Sequence, residues 1–191
     1  LAVFLGMPPM SGALLFALAA ALLIGGASTR FGQHEDTVIS AIWAVGMAAG
    51  VIFISLTPGY TTVLQSYLFG NILMATGRSL LLLGVLDAAI ALVVIVLYHQ
   101  LVTVSFDREY AALRGMQAEV LYLLILGIVS VAVVVLIQTV GIILVIALLT
   151  LPAATARLFS RTIGVMMIRS VALSLLYTFA GLAVSFALNL P

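Results

Sequence analysis

Six apolar windows divide the chain, each close to the ~20 residues that a helix needs to cross a bilayer. They run from Met10 to Thr29, Asp36 to Leu56, Leu80 to Gln100, Glu119 to Gln138, Gly141 to Ser160 and Gly164 to Leu188. Polar breaks separate them, and arginine marks alternate breaks. Arg30 lies between the first and second windows, Arg108 and Arg114 between the third and fourth, Arg157 at the end of the fifth and Arg161 between the fifth and sixth. The intervening loops, "TPGYTTVLQSYLFGN" and "QTVG", carry no charge. Basic short loops stay on the cytoplasmic side, so the pattern predicts an all-α polytopic membrane protein with about six spans. Arg78 is the discordant charge.

The segment "TTVLQSYLFGNILMATGRS" is too short and too polar to span. Two readings stay open for it on the outer side. One is a re-entrant turn, whose polar backbone survives at depth only against protein or a wet cavity. The other is an interfacial amphipathic helix.

Composition narrows the class. Apolar residues make up 65% of the chain and charged residues 7%, against about 25% charged in soluble domains. Too little polar surface remains to cover a soluble fold. A net charge of +1 excludes a nucleic-acid binder with a broad basic face. Cysteine is absent, which removes disulfides and thiolate metal ligands, and lysine is absent too. No GxxxxGK[ST] loop occurs, so the chain itself is not expected to hydrolyse nucleotide. HExxH is likewise missing, and His34 and His99 fall near helix ends where histidines are usually just solvated. The chain begins on Leu1 and stops on "LNLP"; the expectation is one transmembrane domain over residues 1–191, truncated at both ends.

Between the third and fourth windows stands "SFDREYAALRGM", the densest run of charge. From Asp107 it reads as a short helix. Asp107 and Glu109 fall in the first turn, Arg114 in the last, and Gly115 just beyond as a C-cap. Tyr110 and Leu113 show between the charges. Such a helix suits docking into a groove of a soluble partner; the alternative is a helix lying flat at the headgroups.

Few residues inside the windows carry chemistry. Asp87 falls within the third, where an ionisable group is costly and normally faces a partner or water. Its two readings are a transport-pathway residue and a hydrogen-bonded residue near the outer end. Gln138 is read as packing glue or pore lining. Pro152 interrupts the hydrogen-bond ladder of the fifth window, and "LPAAT" is a candidate moving kink. Gly141 opens that window as a second hinge candidate. Small residues, among them Gly46 and Gly50 in "GMAAG" and Gly12, Ala13, Ala17, Ala20 and Ala21 in the first window, suit close helix packing in lipid.

"SYLFGNIL", then "SFDREYAALRG", then "IQTVGIILVIALLTLPAATARLFS", in this order and spacing, resemble the permease subunit of zinc, manganese and iron ABC importers. "EDTVI" at 35 to 39 fits the same family. The resemblance implies a multi-pass subunit of the bacterial inner membrane, paired with an identical or related chain. It also implies a cytoplasmic ATPase subunit and an extracytoplasmic metal-binding protein as partners. The chain would bind no cofactor and would pass a divalent metal ion as cargo. "FDREYAALRG" lies where the family has its coupling helix, which implies contact with the ATPase for Phe106, Asp107, Arg108, Glu109, Ala111, Leu113, Arg114 and Gly115. The family's intramembrane Asp and His ligands belong to a segment that would precede residue 1. Where the family usually has an Asp in "FGNIL", this chain has Asn71, which has no charge to attract a cation. An ion-gradient-driven transporter or channel is the alternative, which should bring inverted repeats and several intramembrane charges.

Overall fold

A computed structural model describes residues 8–31, 35–56, 68, 70 and 77–188. Eight helices carry these residues: α1 (Pro9–Phe31), α2 (Glu35–Ser55), α3 (Gly77–Val96), α4 (Tyr98–Phe106), α5 (Arg108–Leu113), α6 (Ala118–Val140), α7 (Ile142–Phe159) and α8 (Ile163–Leu188). Five are long and apolar enough to cross a membrane, or six when the bent pair α3–α4 is taken as one span. The fold is all-helical and polytopic. Helix α6, with 23 residues, reaches about 35 Å at ~1.5 Å per residue, enough for a hydrocarbon core of about 30 Å.

Within the spans, hydroxyl side chains turn back onto their own helices. Ser130 donates to the Leu126 carbonyl at 2.7 Å, Thr139 to Val135 at 2.8 Å and Thr150 to Ile146 at 2.7 Å. Each hydroxyl is thereby satisfied without water, as a lipid environment requires.

Two elements differ from the sequence expectation. The third window, read as one helix through Gln100, breaks at Leu97 and bends by 77°. Leu97 packs on an apolar cluster instead of continuing the span. The "QTVG" loop shrinks to Gly141, because α6 runs on to Val140 and α7 begins at Ile142. Gly141 takes φ 83 and ψ 158, a region open only to glycine.

The chain divides into two compact units, residues 1–142 and 143–191. In the first, α1 packs along α6. Ala21, Gly25 and Ser28, at spacings of four and three, form the buried stripe of α1. A Cβ on Gly25 would lie 2.2 Å from Leu123 Cδ2, so glycine sets how closely these helices approach. A Cβ on Gly46 would lie 3.8 Å from the Phe16 ring, whereas one on Gly50 would meet nothing within 4 Å, so only half of "GMAAG" is a packing contact among the described residues. Beside this pair, Leu101 and Val104 of α4, Ala111 of α5, and Ala118 and Leu121 of the α6 end form the core cluster.

In the second unit, Arg169 of α8 donates to the Phe159 carbonyl at the end of α7. Tyr177 donates to Thr155 Oγ1 at 3.2 Å. Pro152 is buried within α7. Helix α8 buries no residue, and long apolar side chains such as Leu175, Phe179 and Phe186 are exposed. Such a surface is suited to hydrocarbon.

Candidate coupling surface

The charged stretch folds into a six-residue helix with both ends closed. Asp107, in extended backbone, is the residue before α5, and its Oδ1 accepts the Tyr110 N–H at 2.9 Å. It is thus the N-cap and lies outside the first turn in which the sequence reading put it. Glu109 does occupy that turn, where its negative charge meets the positive helix end. At the other end Gly115 has φ 76. Its N–H bonds the Ala112 carbonyl at 2.9 Å, and the Met116 N–H bonds Ala111 at 3.1 Å. This paired pattern with a left-handed glycine satisfies the last carbonyls.

The back of α5 is fixed by Ala111, 0% exposed, against Val104, Leu101, Ala118 and Leu121. Its outer side carries Tyr110 at 44% and Leu113 at 88% exposure, and Phe106, the last residue of α4, is 75% exposed. Tyr110 and Leu113, three apart on α5, share a helical face, and Phe106 stands just before the cap at the end of α4. Asp107, Glu109 and Arg114 surround the apolar side chains and are exposed. The Arg114 guanidinium stands 5.0 Å from the Tyr110 ring centroid.

Arg108 points elsewhere. It is half-buried, with its guanidinium 3.5 Å from the centroid of the Tyr122 ring of α6. Its Nη1 donates to Ser28 Oγ of α1, and Ser28 is itself buried. Of the eight residues that the sequence groups on this helix, Ala111 and Arg108 therefore face the bundle. Phe106, Asp107, Glu109, Leu113, Arg114 and Gly115 are exposed. Sequence reasoning missed Ser28 and Tyr122. The stripe of small residues in "ALLIGGAS" is a local signal for Ser28, but its arginine partner is 80 residues away.

Other candidates are dispersed. Asp87 on α3 and Gln138 on α6 are both exposed. Asn71, His34 and most of the outer segment lie outside the described residues. Among the described residues, no three His, Asp or Glu side chains come together in a metal-holding group. Gly70 is described and has φ 72; a Cβ there would lie 2.3 Å from the Val140 carbonyl carbon and 2.7 Å from the Gly141 nitrogen. The Gly70 backbone thus comes close to Val140 and Gly141, joining two blocks far apart in sequence.

The whole of this chain, residues 1–191, matches the ABC 3 transport family. An uncharacterized membrane protein of Synechocystis sp. is 39% identical over 182 residues, covering 95% of this chain and 65% of that protein. The manganese import system permease protein ScaB of Streptococcus parasanguinis is 30% identical over 190 residues, covering 100% of this chain and 68% of its own length. Among solved structures, PsaBC from Streptococcus pneumoniae in complex with Fab superposes with a TM-score of 0.79 at 30% identity, over 99% of this chain and 68% of that one. The chain thus spans just under two thirds of the Synechocystis relative.

Proposed function

Because this chain belongs to the ABC 3 transport family, we propose that it is the main part of a permease subunit that imports a divalent transition-metal ion. Manganese is the first choice among manganese, zinc and iron, since a relative that matches across the chain carries that name. ATP hydrolysis is the work of a separate cytoplasmic subunit. A metal-binding protein feeds the outer face, and a second permease copy completes the path across the bacterial cytoplasmic membrane. Residues 1–191 make up one transmembrane domain of a longer protein.

One observation carries the coupling part of this reading. Helix α5 is capped at both ends, fixed by Ala111 behind, and offers Tyr110 and Leu113 outward among charges, with exposed Phe106 just before its cap. Exposed aromatic and aliphatic anchors ringed by polar groups are what a protein partner buries. A helix lying at the headgroups is less well supported, because Asp107 and Glu109 share the exposed side with those anchors.

In operation, closure of the ATPase pair displaces α5 and the bundle alternates between outward-open and inward-open states. Gly141 and Pro152 are the proposed hinges of that change. Asp87, Gln138 and Asn71 are proposed to line the path as oxygen donors. The chain holds no resident cofactor, and the metal is cargo.

The test is ATP hydrolysis and manganese uptake by the full-length permease with its ATPase in lipid vesicles, with and without the metal-loaded delivery protein. We expect stimulation by the loaded protein. Leu113→Ala should weaken ATPase binding by about tenfold or more, the scale of a hot-spot truncation. Uptake driven by an ion gradient without ATP would replace this reading with a secondary transporter.

A further inference from the structure

The apolar cluster behind α5 draws on α4, α5 and α6, with Leu97 and Val94 of the bent pair beside it. Among the described residues, none of α1 belongs to it. Yet α1 is the helix that packs along α6, with Gly25 against Leu123 and with Ser28 buried. The exposed helix is linked to α1 through the Arg108 guanidinium, which covers the Tyr122 ring at 3.5 Å and donates to Ser28 Oγ.

We propose that Arg108 is a positioning residue that carries displacement of α5 into α1, so that α1 and α6 move with the coupling helix. The inference rests on the coupling reading above and names the route that the motion takes. Three features support it.

Arg108 sits at the first position of α5, next to its N-cap, where the helix turns off α4. Its head is held by two different helices at once, through the ring of one and the hydroxyl of the other. Finally, the guanidinium suits both contacts together: its flat face stacks on an aromatic ring while its edge donates hydrogen bonds, which a lysine ammonium does not reproduce. The apolar contacts of Ala111 can slide, whereas a directed hydrogen bond combined with ring stacking fixes register.

The experiment follows hydrogen exchange in the full-length permease with its ATPase in lipid nanodiscs, with and without ATP. Wild type should show ATP-dependent changes both at residues 106–114 and at residues 24–31. Arg108→Ala should keep ATPase binding and the change at 106–114, and lose the change at 24–31. Manganese moved per ATP should fall by about tenfold, within the range of residues that carry coupling. Arg108→Lys should recover part of that loss, and Ser28→Ala, which removes only the acceptor, should give a smaller loss of the same kind.

An unchanged response at 24–31 in both Arg108→Ala and Ser28→Ala overturns the proposal. So does a loss of ATPase binding in step with uptake, because Arg108 would then belong to the docking face. A wild type with no ATP-dependent change at 106–114 sinks the coupling reading itself, and this inference falls with it.

Discussion

A methyl group on Gly70 has nowhere to go. The added carbon would lie 2.3 Å from the Val140 carbonyl carbon, with φ already at +72. The neighbour is backbone at a helix end, so it cannot rotate away as a side chain would. Left-handed backbone adds ~1–2 kcal/mol for any L side chain. Gly70→Ala should therefore lower the melting temperature of the purified full-length protein by several degrees. Gly50→Ala, with nothing within 4 Å, should leave it unchanged and can gain slightly from helix propensity. The contrast is set by the backbone angle and the space at each site. The same scale gives a functional check on Asp87. If it lines the path, Asp87→Asn should change uptake kinetics or metal preference in the full-length permease while expression and melting stay as in wild type.

At the scale of the element, α5 is a six-residue helix, far below the length at which isolated helices persist in water. It stands because of its caps and its back. Removing the Asp107 acceptor costs about 1 kcal/mol by the usual N-cap scale, and Gly115→Ala costs about as much at φ 76 for its left-handed backbone. Each change should raise hydrogen exchange across residues 107–116 by roughly fivefold and weaken ATPase binding by a similar factor. The binding loss comes from ordering entropy, because the partner must then fold the helix as it docks. Helix α5 was legible in the sequence since its signals are local: Asp107, Glu109 and Gly115 lie within nine residues of one another. The spans were legible for the same reason, as long apolar runs. The bend at Leu97 was not, because "VIVLYHQ" contains neither proline nor glycine, and Leu97 packs on a cluster that draws in Ala111, Ala118 and Leu121 from later helices. Nor was the inward course of Arg108, whose partner on α1 is set by the fold.

For the whole molecule, the distribution of arginine sets orientation. Arg30, Arg108, Arg114, Arg157 and Arg161 lie at or between the span ends that the positive-inside rule assigns to the cytoplasm. Arg169 lies inside the last span. Its head, however, reaches back to the Phe159 carbonyl, about one helical turn before the start of α8. It thus places its charge toward the same end as Arg157 and Arg161, as arginines near span ends do. Arg78 alone is left on the other side. The absence of cysteine makes this orientation directly measurable, because each introduced thiol is the sole one in this part of the chain. In cells with a full-length version stripped of other cysteines, Leu113→Cys and Arg161→Cys should resist a membrane-impermeant maleimide until the membrane is inverted. Tyr60→Cys should react from outside in intact cells. Labelling of Leu113→Cys from outside would reverse the topology, and α5 would then have no access to a cytoplasmic ATPase. The docking face, the arginine link to α1 and the import direction all depend on that one orientation.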